Sequence, residues 1–463
     1  MAFLYLSSLN DNKNILLSTI IETFINEYKI LVVMLEEAIR KWNPWWADAQ
    51  SIKKLSGVKR NITSNITETL ELKQIKDVIG VRRSGKTTIL YQIIKILEEK
   101  NISPKNIVFL NFDDTEINVA PFDEIIKSIT KINPEVNYLF LDEIQQKKGW
   151  ERWMRTLYDT NKYNQVFVSG SSASLLSKDI GRVLTGRHIT FTVFPFSFKE
   201  YLVFLGWDDF SKDFLEYNKN KILHHLSTYI TGGGFPETIG KDEYQRKIIL
   251  TNIYNDILAR DISARYNVSY DITRKISYHL LSNNSKEFSY RSIANAVDVS
   301  VETVEKYLEF LKESFIILTI NVFSYKTKVQ FKQNKKSYSI DTGLRNAVSF
   351  RFTKDYGRLA ENIVFLELLR RGKNVFFWKD KKNHEVDFVL KDELKLTRLI
   401  QVCWDIKKDK TKKREIEGLL SAMDIFKNKE GMILTEDYEE IEKYNKKEIK
   451  YVPLWKWLLY NDN

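Results

Sequence analysis

The segment Gly80, Val81, Arg82, Arg83, Ser84, Gly85, Lys86, Thr87 fits the spacing G-x-x-x-x-G-K-[ST] and constrains this chain more than any other stretch. Residues 77–80 read as a short strand and residues 86–100 as a helix, so the segment is a strand-to-helix turn. Glycines let such a loop wrap with its N–H groups inward. The helix N-terminus adds positive potential, so phosphates meet a nest of donors. Lys86 is placed to neutralise the β- and γ-phosphates, Thr87 to ligate Mg²⁺, and Thr88 closes the binding segment. The plain alternative is an accidental Gly-rich turn. Arg82 and Arg83 either contact phosphate or pin the loop to a lid, and the sequence leaves both open.

A second motif decides against the accidental turn. Tyr138-Leu-Phe-Leu-Asp142-Glu143 is an apolar strand ending in two acids. After a phosphate loop, Asp142 is placed to hold the Mg²⁺ shell and Glu143 to polarise the attacking water as a general base. Alone, the pair would read as a solvated strand end. A further strand, 165–169, runs into Ser169-Gly-Ser-Ser172, where Ser171 is the candidate γ-phosphate sensor; ordinary turn chemistry is the alternative. Arg187, in Thr185-Gly186-Arg187, is a candidate for stabilising phosphoryl charge, from its own chain or a neighbour's, against a plain surface arginine. The substrate expected is ATP with Mg²⁺.

Around these motifs, strands at 77–80, 107–111, 138–142 and 165–169 alternate with helices at 86–100, 122–129 and 150–160. Strands apolar throughout, separated by helices, predict a parallel sheet covered on both faces. Residues 16–41 form a long apolar-periodic stretch without Pro or Gly, ending near Asn43-Pro44-Trp45-Trp46. The paired tryptophans read as an anchor on the next domain. The 463 residues suggest about three domains. The expected division is an N-terminal helical segment (1–60), an ATPase core (61–210), a helical lid (211–285), a winged-helix-like domain (286–345) and a C-terminal α/β domain (346–463). No low-complexity stretch separates these blocks, which predicts one packed body.

Composition excludes some classes. No apolar run approaches the ~20 residues needed to cross a bilayer, and the first residues show no basic region ahead of an apolar core. No membrane association and a cytoplasmic location are therefore expected. Cys403 is the only cysteine and the five histidines lack ligand spacing, so neither an intrachain disulfide nor a zinc site is expected. The formal net charge of +11 suits a polyanionic partner such as DNA, or simply a solvated lysine-rich surface.

The motifs together resemble the archaeal and bacterial family of AAA-type ATPases with a C-terminal domain of uncharacterised function (AAA_14 with DUF4143). The matching stretches are residues 81–88, Asn111-Phe-Asp-Asp114, Leu141-Asp-Glu-Ile-Gln145 with Gly149-Trp-Glu151, Leu184-Thr-Gly-Arg187, and Phe194-Pro-Phe-Ser-Phe-Lys-Glu200. Gly233-Gly-Phe-Pro-Glu237, Asp341-Thr-Gly-Leu344 and Glu385-Val-Asp-Phe388 follow. The resemblance spans roughly Lys76 to the C-terminus and implies an AAA-like core that uses ATP. A homo-oligomer is a further expectation.

Residues 290–296 and 301–311 read as a helix-turn-helix with Ser300 as N-cap. A DNA-reading helix presents basic or amide side chains. This one presents Glu302, Glu305, Glu309 and Glu313 against Lys306 and Lys312, which argues against groove insertion. The following stretch carries Lys326, Lys328, Lys332, Lys335 and Lys336 without an acid, so a basic wing tracking phosphates is weighed against a winged helix used for packing.

The order of elements after 346, α-β-β-β-α-β, resembles the PD-(D/E)xK nuclease fold. That resemblance implies a metal-binding Asp on the second strand, a D/E-x-K pair on the third and a Glu from the first helix. Asp387 and Glu361 match. The third strand reads Gln401-Val-Cys403, so a charge and the activating lysine are missing and the site is expected to be degenerate, with Lys407 or Lys408 as substitutes lying past the strand. The run Lys407, Lys408, Lys410, Lys412, Lys413, Arg414 is a candidate phosphate contact, against a solvated helix start. Three functions follow: ATP hydrolysis coupled to DNA binding or remodelling, a nucleotide switch assembling with protein partners, and an ATP-dependent nuclease.

Overall fold

The computed structural model describes residues 29–171, 184–326, 334–349, 355–392, 395–407 and 409–460. The chain divides into two compact units. The first comprises Met1–Ile79, Lys86–Gly170 and Ser174–Phe191; the second comprises Gly80–Gly85, Ser171–Ala173 and Thr192–Asn463.

A five-stranded sheet is built from β1 (Ile75–Gly80), β2 (Ile107–Asn111), β3 (Tyr138–Asp142), β4 (Gln165–Gly170) and β5 (His188–Val193), in the order β2-β3-β4-β1-β5. The pairs β2–β3, β3–β4 and β4–β1 are parallel. The start of β1 pairs with the residue before β5, Ile75 N–H donating to the Arg187 carbonyl at 2.8 Å. Central strands buried on both faces explain their uninterrupted apolar runs, as at β3, where Leu139, Phe140 and Leu141 are fully buried. Phe140 stacks on Phe167 of β4 at 4.5 Å. The helix Lys86–Glu99 buries Ile89, Leu90, Ile93, Ile94 and Leu97, the i, i+4 face predicted by their spacing.

Residues 29–41 are helical; the expected part before residue 29 lies outside the described residues. The tryptophans that follow do hold the N-terminal segment to the sheet. Trp45 packs edge-on against Tyr91 and Phe109. Asn43 then copies a neighbouring strand: its side-chain amide donates to the Phe109 carbonyl at 2.8 Å, and its side-chain oxygen accepts the Phe109 N–H at 2.7 Å. That pairing blunts the β2 edge of the sheet.

In the second unit, helices Lys219–Gly232 and Glu243–Asp256 are followed by a π-helical turn, Ile257–Ala264. Helices Tyr270–Ser282, Tyr290–Val297 and Val301–Glu313 each begin on a serine whose side chain accepts a first-turn N–H. An antiparallel sheet accompanies them: β6 (Glu287–Phe288) falls between the first and second of these helices, and β7 (Ile317–Asn321) and β8 (Lys335–Ser339) follow the third, in the order β6-β8-β7. The C-terminal sheet contains β9 (Asn374–Lys379), β10 (Glu385–Asp392), β11 (Lys395–Val402), β12 (Glu430–Thr435), β13 (Glu440–Tyr444) and β14 (Lys447–Pro453), in the order β13-β14-β12-β11-β10-β9. Helices Tyr356–Arg370 and Asp409–Phe426 accompany it. Among the described residues, no helix is long and apolar enough to cross a membrane.

Candidate functional site

The phosphate loop begins where β1 ends. Gly80 has φ +152°, and a Cβ there would lie 2.2 Å from the Val193 carbonyl oxygen, so no other residue fits. Arg83, at φ +65°, and Gly85, at φ +96°, are the loop's other positive-φ residues. Lys86 is buried at the start of its helix. The Thr87 hydroxyl donates to Asp142 Oδ2 at 2.8 Å. The structure therefore brings together Thr87 and Asp142, the two residues expected to face the same cation.

Asp142 ends β3 and is buried. Burial, and secondarily the neighbouring Glu143, push its pKa up to about 6, against the opposing effects of Ser169, Thr87 and Lys86. A buried carboxylate beside a threonine hydroxyl is a donor set suited to a hard divalent cation, which would hold the carboxylate ionised. Glu143 sits in the left-handed region at φ +53°, a conformation uncommon for a side-chain-bearing residue and concentrated at functional sites. Its backbone N–H donates to Ser169 Oγ at 3.3 Å, and its carboxylate accepts from the Gln145 amide.

Ser169 was missed from the sequence. Its hydroxyl also donates to Asp142 Oδ1, so it bridges the two acids' positions. The available signal was its place at the end of β4, one strand over from β3. Ser171, the residue singled out there, is buried just past β4. Ser172 lies outside the described residues.

Arg187 stands beside the first residue of β1, its carbonyl accepting the Ile75 N–H at 2.8 Å. Its guanidinium binds Asp159 at 2.9 Å and lies over the Tyr158 ring. The two loop arginines pin the loop: Arg82 approaches Asp261 at 3.6 Å and Arg83 approaches Glu237 at 2.6 Å.

A second constellation occupies the C-terminal domain. A cavity of about 750 Å³ is lined by Lys336, Glu361, Glu385, Asp387, Gln401 and Glu415, among others. Lys336 of β8 reaches Glu361 and Asp387, each at 3.1 Å, and Glu385 at 2.5 Å. The Tyr338 hydroxyl donates to Glu361 at 2.8 Å. Burial would lower the Lys336 pKa, but the surrounding carboxylates reverse this and lift it well above the ordinary lysine value. Gln401 accepts the Asp387 N–H at 3.0 Å, and its amide donates to Glu415. Cys403 is buried at the cavity wall, its thiol pushed up to about 12 by burial.

Three expectations change here. Lys336 is not a wing residue facing nucleic acid: β8 turns it inward, and it is 3% exposed. A cation does meet Glu361 and Asp387, and it is Lys336 of β8 rather than a residue of the third strand. The basic run is also partly neutralised, with Lys412 paired to Glu442 and Arg414 to Glu415. Lys407, Lys410 and Lys413 stay exposed, as does Lys326. Lys335 donates to the Tyr290 hydroxyl at 3.0 Å. Lys328, Lys332 and Lys408 lie outside the described residues. Among the described residues, no group of three or more His, Cys, Asp or Glu is arranged to hold a metal ion.

Residues 72–202 match the family described as AAA domain. Residues 223–355 and 356–457 match two domains of unknown function, DUF8612 and DUF4143. The chain is 37% identical over 421 residues to uncharacterized protein MJ1544 of Methanocaldococcus jannaschii, covering 85% of this chain and 91% of that protein. The chain belongs to the family of AAA-type P-loop ATPases that carry a C-terminal DUF4143 domain. An uncharacterized protein of Haemophilus influenzae is 29% identical over 411 residues, covering 86% of this AAA-domain chain and 98% of the relative. Among solved structures, the Aeropyrum pernix Orc1 protein in complex with DNA covers 62% of this chain and 90% of its own, at 10% identity and TM-score 0.28. AMPPCP-bound DnaA from Aquifex aeolicus covers 54% and 86%, at 17% identity and TM-score 0.26.

Proposed function

We propose that this AAA-domain protein binds and hydrolyses ATP with Mg²⁺ at residues 80–88, Asp142 and Glu143. The observation that carries this reading is the Thr87–Asp142 hydrogen bond at 2.8 Å, directly after a loop that only glycine can begin. In this reading the loop N–H groups and Lys86 hold the phosphates, while Thr87 and Asp142 hold Mg²⁺, which supplies charge neutralisation on the phosphate oxygens. Glu143 orients and deprotonates the attacking water, with Ser169 holding the Asp142 carboxylate and the Glu143 backbone N–H. Ser171 remains a candidate sensor. Arg187, paired with Asp159, remains a candidate for stabilising phosphoryl charge on its own chain's nucleotide or a neighbour's. Phosphate release from ATP tests the reading, with Lys86→Ala expected to remove binding.

Coupling to DNA at the level of its backbone is proposed from the exposed Lys326, Lys407, Lys410 and Lys413. It predicts turnover stimulated by DNA and binding that weakens steeply as salt rises. A second reading, a nucleotide switch that assembles with protein partners, is favoured by the helix Val301–Glu313. Its exposed residues include Glu302, Glu305 and Glu309 against Lys306, an acidic face that would repel phosphate. Nucleotide-dependent assembly without DNA stimulation would select it. The nuclease reading gains a lysine in Lys336, but that ammonium already engages Glu361 and Asp387, so a metal must compete for them. Metal-dependent DNA cleavage lost in Asp387→Ala would support it.

A further inference from the structure

Two arginines follow one another in the phosphate loop, and each is held by an acid from a different part of the second unit. Arg82 and Asp261 are mostly buried, their side chains 23% and 11% exposed. Asp261 lies on the π-helical turn, a rare conformation frequent at functional sites. Arg83 and Glu237 are different: 48% and 42% exposed, at 2.6 Å. Arg83 also sits at φ +65°, where a glycine would cost nothing and an arginine is strained. The backbone therefore does not call for arginine, and the guanidinium is the feature to be explained.

We propose that Glu237 discriminates nucleotide state by competing with the γ-phosphate of a bound triphosphate for the Arg83 guanidinium. This rests on reading residues 80–88 as an ATP site. Arg83 stands three residues ahead of Lys86, on the loop that cradles the phosphates. A phosphate oxygen pair with more than one negative charge takes a guanidinium more strongly than one half-exposed carboxylate does. An exposed ion pair contributes little, so it yields readily. The better-buried Arg82–Asp261 pair holds the loop in place during the exchange.

Glu237 ends the stretch Gly233-Gly-Phe-Pro-Glu237, and that stretch is clamped on Asp341. The Gly234 N–H donates to Asp341 Oδ2 at 2.6 Å. A Cβ on Gly233 would meet Asp341 Oδ1 at 2.1 Å, and one on Gly234 would meet the Phe196 carbonyl at 2.4 Å. Asp341 in turn caps the helix Thr342–Val348 through the Leu344 N–H at 2.8 Å. Glu237 is therefore presented to Arg83 from a stretch whose backbone is held in place by Asp341 and by close packing at Gly233 and Gly234.

The test is calorimetric titration of the full chain with Mg²⁺ and either ADP or a non-hydrolysable ATP analogue. Glu237→Gln is expected to tighten analogue binding about two- to fivefold and to leave ADP affinity unchanged. Arg83→Ala is expected to weaken analogue binding by at least about tenfold, and Glu237→Gln added to Arg83→Ala is expected to change nothing further. Equal tightening of ADP and analogue, no change in Glu237→Gln, or an undiminished effect in the Arg83→Ala background would overturn the proposal. Glu237→Ala is the second variant, expected to behave as Glu237→Gln does. Lys86→Ala separates the two levels: if it binds nucleotide as the unaltered chain does, the ATP reading itself fails, and the sensor with it.

Discussion

The phosphate loop and the C-terminal cavity each place a buried lysine among acids, but they are assembled differently. Lys86 precedes Thr87 in one continuous segment, and its acids come from the next strand but one. Lys336 arrives from β8 to meet Glu361, Glu385 and Asp387, side chains 25 to 51 residues away. The first lysine follows a loop shaped by glycines, where a phosphate-binding role is proposed for it. The second is fully engaged by the protein itself. The lesson is that one buried lysine is positioned by its own continuous segment and the other by strands and a helix far apart in the chain, so only the first carries a local sequence signature.

Variants can break that contrast. The largest effect is expected at the cavity: Lys336→Met leaves Glu361 and Asp387 buried without their cation and should cost about 3–5 kcal/mol of stability. Denaturant unfolding would read it, and an unchanged midpoint would mean that the cluster is not a structural unit. Lys86→Ala should do the reverse, removing ATP binding by about 100-fold or more while leaving the unfolding midpoint alone. Ser169→Ala is intermediate, since it strips one hydrogen bond from Asp142 and one from the Glu143 backbone. About 1–2 kcal/mol of stability and a several-fold loss of turnover are expected, measured on the same preparation.

The smallest effect concerns β1. His188 Nδ1 meets the buried Asp77 at 2.5 Å, and this hydrogen bond raises the histidine pKa above its ordinary value. A histidine raised in the folded state contributes stability that is complete below the unfolded value of about 6.5 and is lost as pH rises through the folded one. Burial raises the Asp77 pKa too, which acts in the same direction. The melting temperature should therefore fall modestly as pH climbs above about 6.5, and His188→Gln should flatten that slope.

Legibility in the sequence followed locality. Strands β1 to β4 were read within two residues of their ends because buried parallel strands are apolar throughout. Lys86, Thr87, Asp142 and Glu143 were legible because strand ends and one loop place them. Lys336 was not, because in Lys335-Lys336 an outward and an inward lysine look alike until the sheet sets their faces. Strand β13 was missed because Glu440–Tyr444 is a charged edge strand without an apolar run. Glu237 was visible as part of a motif, but its partner on the loop lies 154 residues away.

Hydrolysis at the phosphate loop, as distinct from binding, is proposed to depend on Glu143 as the base. Phosphate release from Mg·ATP should be measured beside ATP binding for the unaltered chain and for Glu143→Gln. The account predicts turnover lowered by about 100-fold or more with binding retained. A Glu143→Gln protein that hydrolyses ATP at the unaltered rate would contradict it.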